Sequence, residues 1–151
     1  FRAVEKAWRR HFPGADSLLV CEPGRSMAAD CVSLLTRVKH RRAGRTVYLN
    51  DGIYGGLLEH LVFKISTPVR VFRGGKLLRG TSAEFEVFGP TCDSTDRLPL
   101  TVPMPETVGE GDWVEFGLMG AYGSATATRF NGFESDQYVE VAEGFPSAGL
   151  R

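Results

Sequence analysis

Cysteine is scarce and unpatterned: the chain has three (Cys21, Cys31 and Cys92), with no C-x-x-C pair and no histidine at ligand spacing. Neither a disulfide framework nor a zinc knuckle is supported, and the thiols are expected to be reduced. Net charge is also missing. The 18 Lys+Arg balance 18 Asp+Glu, so no overall field draws the chain onto a phosphate backbone or an anionic lipid surface, and nucleic-acid and membrane partners are not expected. No stretch approaches the ~18 consecutive apolar residues of a spanning helix, and the opening FRAVEKAWRRHF lacks the layout of a signal peptide. With N-x-S/T absent as well, a cytoplasmic location is the expectation. There is no G-x-S-x-G elbow, and His11, His40 and His60 lie in unrelated contexts, which removes the usual hydrolase triads. No internal repeat or low-complexity stretch occurs.

What is present fits one domain, or a domain with part of another, in 151 residues that are 42% hydrophobic with 18 Gly and 8 Pro. Phe1, Val4, Trp8 and Phe12 recur at helical spacing opposite Arg2, Glu5, Lys6, Arg9 and Arg10, which predicts an amphipathic helix ending at Pro13-Gly14. No capping residue precedes it, so the chain reads as starting partway through a larger unit. The apolar run Leu18-Leu19-Val20-Cys21 suits a buried strand of a parallel sheet, broken by Glu22-Pro23-Gly24-Arg25, with one or two helical turns over Ser26–Cys31.

From Val32 the period becomes two. Val32, Leu34, Thr36 and Val38 alternate with Ser33, Leu35, Arg37 and Lys39, and Arg42-Ala43-Gly44-Arg45 turns the chain into Thr46–Leu49. Further strands are predicted at Val69–Arg73, Glu84–Phe88, Trp113–Phe116, Ala125–Phe130 and Tyr138–Val141, with Gly/Pro-rich turns between them. The expected fold class is therefore mainly β, a barrel or sandwich over residues 32–151, preceded in residues 1–31 by the last βα segment of an α/β barrel.

Three clusters carry candidate chemistry. Glu22-Pro23-Gly24-Arg25 lies where a barrel strand would end, the face on which such barrels keep their sites. Gly24 permits close backbone approach, Arg25 matches phosphate oxygens with a guanidinium fork, and Glu22 suits a ring N–H⁺; a Pro-Gly turn beside a surface ion pair is the alternative. Gly89-Pro90-Thr91-Cys92-Asp93-Ser94-Thr95-Asp96-Arg97 sets a thiol beside a carboxylate, a proton donor next to an ammonium receptor, or a loop solvated by acids with one buried thiol. Gly117–Gly123 and Arg129–Phe133 offer Tyr122 as a phosphate donor, with Asn131-Gly132 readable as a hairpin turn and Phe130 and Phe133 as core. The loop Asp51-Gly52-Ile53-Tyr54-Gly55-Gly56 looks phosphate-cradling but matches neither standard glycine-rich motif.

Taken in order, EPGR, YLNDGIYGG, GPTCDSTDRL, GDWVEF, MGAY and RFNGF resemble the C-terminal half of the pyridoxal-phosphate decarboxylases of the ornithine, lysine and diaminopimelate group, nearest the ornithine branch, over about residues 17–141. The resemblance implies a cofactor-bearing α/β barrel followed by a β domain, and a head-to-tail homodimer with shared sites. It implies that Glu22 faces the pyridine nitrogen, that Gly24 and Arg25 hold the cofactor phosphate with Tyr122, and that Cys92 returns a proton to the substrate carbon. Asp93 then receives the distal ammonium of a diamino acid, with Tyr54 and Phe130 near the substrate pocket. The diaminopimelate branch reads Cys-Glu at this place, so Cys92-Asp93 favours ornithine, converted to putrescine in polyamine biosynthesis, or lysine. The second acidic residue of the eukaryotic ornithine enzymes falls on Phe63 here, with Glu59 the nearest carboxylate.

The lysine that carries the cofactor has no counterpart among Lys6, Lys39, Lys64 and Lys76. An N-terminal barrel portion is therefore an expected partner, and these residues alone are expected to be inactive. A non-catalytic relative of the same family, as the antizyme inhibitors are, or a stand-alone binding domain, is the alternative.

Overall fold

In the computed structural model, residues 1–14, 16–142 and 144–145 are described. The order is α1 (Arg2–His11), α2 (Arg25–Ala28), β1 (Leu34–Arg42), β2 (Thr46–Leu49), α3 (Leu58–Phe63), β3 (Val69–Arg73), β4 (Lys76–Leu77), β5 (Ser82–Phe88), β6 (Val102–Pro105), β7 (Trp113–Phe116) and α4 (Gly123–Thr126), with 3-10 turns at Ala29–Cys31 and Phe130–Gly132.

The alternation that begins at Val32 does what a period of two requires. Thr36 and Val38 turn inward while Leu35, Arg37 and Lys39 face out. β1 hydrogen-bonds antiparallel to both β2 and β7, pairing Thr36 with Val114 and Arg42 with Thr46. The seven strands form one sheet in the order β4-β3-β7-β1-β2-β5-β6. Every named pair is antiparallel except β2 and β5, which run parallel because the chain crosses over through α3, β3 and β4 before returning. The sheet curls until β3 packs near β6, as twisted sheets of this size do. Phe85, Val87, Leu49, Val47, Met104, Val114 and Phe116 close on one another inside the curl, together with Leu57 and Ile53 from the loop above.

The mainly β class and the positions of β1, β2, β3, β5 and β7 follow the alternation. Four predicted features do not form. Leu18–Cys21 is neither a strand nor buried, with Leu18 85% and Val20 68% exposed; among the described residues no strand lies beside it, and an apolar run becomes a strand only when neighbours take its backbone hydrogen bonds. Ala125–Phe130 is not extended, because α4 occupies its first half and the Thr126 hydroxyl donates back to the Tyr122 carbonyl at 2.9 Å. Tyr138–Val141 is unpaired and exposed. Asn131-Gly132 sits in a 3-10 turn, at φ of 56° and 77°, rather than in a hairpin. Among the described residues, the predicted β region is thus a sheet from Leu34 to Phe116 followed by α4, a 3-10 turn and irregular chain. α1 does form, but its apolar face is uncovered, with no buried residue. Among the described residues no helix is long and apolar enough to cross a membrane.

Candidate functional site

Two short loops at one end of the sheet, 51–57 after β2 and 89–96 after β5, are bound together by buried carboxylates. Asp96 is 2% exposed and accepts from Ile53 N–H at 3.1 Å, from Thr91 N–H at 3.0 Å and from the Thr91 hydroxyl at 2.8 Å. It reaches both backbones because Gly52 and Gly89 have no side chain: a Cβ on either would sit 2.2 Å from Asp96 Oδ1. Asp51 plays the same part for the first loop, accepting from Gly56 N–H at 2.9 Å and from the Ser135 hydroxyl, and Gly55 leaves it room. The 51–56 loop is therefore no phosphate cradle. The amides of Ile53, Gly55, Gly56 and Leu57 are spent on Asp96, Asp51 and the Gly52 carbonyl.

That scaffold brings Tyr54 against the Cys92-Asp93 loop. The Tyr54 hydroxyl donates to Asp93 Oδ2 at 2.5 Å, and Thr95 N–H donates to Asp93 Oδ1 at 2.8 Å. These bonds, Tyr54 first, hold the Asp93 carboxyl below its ordinary range, while the hydrogen bond that the phenol donates to Asp93 pushes the Tyr54 pKa up. At neutral pH the pair is a carboxylate and an intact hydroxyl. Phe130 packs against Tyr54 with ring centroids 4.4 Å apart and planes tilted by 35°, and Thr128 closes the same corner by donating its N–H and hydroxyl to the Tyr54 carbonyl at 2.8 and 2.7 Å. Cys92 is exposed beside Asp93, and Asn131 Nδ2 donates to its Sγ at 3.3 Å. Four residues singled out in the sequence, Tyr54, Cys92, Asp93 and Phe130, are thus brought to one place on the surface, where an anion, a thiol and two aromatic rings meet.

Gly24, Arg25 and Tyr122 form a second cluster. A Cβ on Gly24 would lie 3.3 Å from the Tyr122 hydroxyl, and the Arg25 guanidinium stands 5.4 Å from the centre of the Tyr122 ring. Tyr122 holds a left-handed backbone at φ 65° and is exposed. Arg25 pairs through both terminal nitrogens with Glu59 on α3, at 3.0 and 2.5 Å, and that bond raises its pKa further. Glu22 is exposed in the irregular stretch before α2 and makes no hydrogen bond among the described residues. No direct hydrogen bond or ion pair among them joins the two clusters; the segment from Tyr54 to Glu59 links them.

Sequence reasoning passed over the Arg25–Glu59 pair, the Asn131–Cys92 contact and the clamp by Asp96. Glycines at 52, 55 and 89 beside aspartates were the available signal for the clamp; the other two contacts join residues 34 and 39 positions apart and leave no local trace.

The chain is similar to known proteins in sequence and in fold. The family model described as the pyridoxal-dependent decarboxylase, C-terminal sheet domain, matches residues 18–120. A decarboxylase of Aspergillus flavus, flvG, is 32% identical over 98% of the chain and 38% of its own length. The chloroplastic ornithine decarboxylase of Nicotiana glutinosa is 35% identical over 96% of the chain and 36% of its own length. Among solved structures, the agmatine-bound arginine decarboxylase of Paramecium bursaria Chlorella virus superposes with a TM-score of 0.71 at 30% identity, over 87% of the chain and 36% of that protein. The chain spans little more than a third of the length of these relatives.

Proposed function

Because the chain belongs to the pyridoxal-dependent decarboxylases, as their C-terminal sheet domain, we propose that it supplies the substrate-binding and proton-returning half of an enzyme that decarboxylates a basic amino acid, ornithine before lysine. The observation that carries this reading is Asp93, a half-buried carboxylate kept ionised by Tyr54 and next in sequence to the exposed Cys92 thiol.

The residues of the second cluster fit the phosphate end of pyridoxal 5'-phosphate. They offer a guanidinium, a phenolic hydroxyl and, at Gly24, a backbone that an anion can approach without meeting a Cβ. When bound, the cofactor supplies the electron acceptor on which loss of carbon dioxide depends. Arg25 and Tyr122 hold its phosphate, and Glu22, free of partners among the described residues, is available to accept a hydrogen bond from the ring nitrogen.

Asp93 does the work of recognition. A distal ammonium finds a fixed anion whose second oxygen is already anchored by Thr95, with the Tyr54 and Phe130 rings excluding water from the methylene chain between the two amino groups. Cys92 Sγ then delivers its proton to the carbon that has lost the carboxylate, and the Asn131 amide beside it steadies the sulfur as the proton leaves. Both groups serve the site of a second copy in a head-to-tail homodimer, and an N-terminal barrel carries the lysine that holds the cofactor.

The expected result with the full-length protein and pyridoxal phosphate is release of carbon dioxide and of the matching diamine from ornithine, more slowly from lysine. Measuring kcat/KM for ornithine, lysine and arginine checks it. A preference for arginine would show that the distal receptor is not the single carboxylate of Asp93, and no release from any of the three would remove the decarboxylase reading.

A further inference from the structure

The Arg25–Glu59 pair is spent on no step of the proposed reaction, yet it is the most tightly built contact near the cofactor residues. The Glu59 side chain is 6% exposed and that of Arg25 42%, so the carboxylate belongs to the β-domain interior and the guanidinium leans onto it from the 22–25 segment. Two bonds, Nη1 to Oε2 at 3.0 Å and Nη2 to Oε1 at 2.5 Å, fix the plane of the guanidinium as well as its place. Glu59 itself sits among buried neighbours. It follows fully buried Leu57 by two residues and precedes His60, whose Nε2 lies 3.1 Å from the Thr67 hydroxyl and whose ring meets the Phe116 ring edge-on at 5.9 Å. Burial lowers the pKa of His60, so the imidazole is neutral at neutral pH and adds no competing charge beside the pair.

A guanidinium has five N–H donors, of which Glu59 takes two, one from each terminal nitrogen. Among the described residues nothing takes Nε–H or the two remaining terminal hydrogens, on a guanidinium already set 5.4 Å from the Tyr122 ring and next in sequence to Gly24. We infer that Glu59 is a positioning residue: by locking the Arg25 guanidinium in one orientation it completes, with Gly24 and the Tyr122 hydroxyl, a receptor for a phosphate monoester. This rests on the cofactor reading given above. An arginine left free must give up its rotamer freedom when the phosphate arrives, whereas here that loss is incurred on folding. The carboxylate also repels the phosphate, but its charge is matched by Arg25 at contact distance and lies behind the guanidinium as seen from the three free donors.

The test compares pyridoxal 5'-phosphate with pyridoxal, which lacks the phosphate, in equilibrium binding to the full-length apo-protein. Glu59→Gln, nearly isosteric, is expected to weaken the phosphorylated compound about tenfold, the worth of one pre-ordered long side chain, and to leave pyridoxal unchanged. Glu59→Asp, which keeps the charge but withdraws it by one methylene, is expected to lose a similar factor. Equal weakening of both compounds assigns Glu59 a merely structural role and overturns the inference, as does unchanged or tighter binding of the phosphorylated compound. Arg25→Ala separates the two levels of argument. If it fails to remove the preference for the phosphate, the cofactor reading falls and the inference with it; if it succeeds while both Glu59 variants bind like the parent, the inference alone falls.

Discussion

Asp93→Ala is expected to raise KM for ornithine by about 100-fold, the cost of removing the fixed partner of an ammonium held away from water, with a smaller effect on kcat. Cys92→Ala is expected to do the reverse, lowering kcat by about 100-fold or more at nearly constant KM, because a positioned proton donor contributes mainly to the reacting state. The split follows from the geometry. Asp93 is tied to Tyr54 and Thr95, which organise a binding surface, while the one side-chain hydrogen bond of Cys92 among the described residues comes from Asn131. Tyr54→Phe makes an intermediate case. It removes the leading cause of the low Asp93 pKa, so the carboxyl titrates closer to its ordinary range; since that range still lies well below neutrality, the ammonium receptor stays charged at pH 7 and KM rises less than in Asp93→Ala. With the parent protein the carboxylate is ionised down to a pH below its unperturbed value, so no loss of affinity traceable to Asp93 is expected between pH 5 and 8. Steady-state kinetics of the three variants decide the matter. Parent-like constants in both Asp93→Ala and Cys92→Ala would remove these residues from the site.

The second large effect is on stability. Asp96→Ala leaves the buried N–H of Ile53 and the half-buried N–H of Thr91 without their acceptor, and each such orphan costs about 1–3 kcal/mol. A total near 4 kcal/mol corresponds to a fall in Tm of about 10 °C for a chain of this size, measurable by thermal unfolding. Function falls with it. Ile53 precedes Tyr54 and Thr91 precedes Cys92, so the one carboxylate keeps the phenol and the thiol loop in register. Asp96→Asn retains the shape but replaces one acceptor oxygen with a donor, and is expected to lie between parent and alanine. Gly89→Ala should fail for the complementary reason, its Cβ falling within 2.2–2.4 Å of the Asp96 carboxyl group. A Tm for Asp96→Ala within a degree or two of the parent would show that the clamp is dispensable.

The elements legible in the sequence are those whose pattern and surroundings agree. β1, β3 and β7 alternate, and each has a partner on the sheet to receive its hydrogen bonds. Tyr138–Val141 alternates as well, but pairs with no strand among the described residues and stays in solvent. β6 escaped notice because Pro103 and Pro105 interrupt it, which only an edge strand tolerates, and β6 is the edge of the sheet beyond β5. α3 is six residues long with no capping side chain, too short for a helical period to register. Of the candidate site, the motif residues Tyr54, Cys92, Asp93 and Phe130 were readable as types of chemistry, and their meeting at one place is a property of the crossover that brings the 51–57 and 89–96 loops to the same end of the sheet. Arg25 was readable as an anion receptor. That its fork is shared with Glu59 was not, since the pairing depends on where α3 comes to rest.

A crystal structure of the full-length protein with pyridoxal phosphate and putrescine tests the central claim most directly. The account predicts the cofactor phosphate against Gly24, Arg25 and Tyr122, with Arg25 still paired to Glu59, and one putrescine ammonium on Asp93 beside Cys92. A diamine bound away from Asp93, or a phosphate held without Arg25, would contradict it.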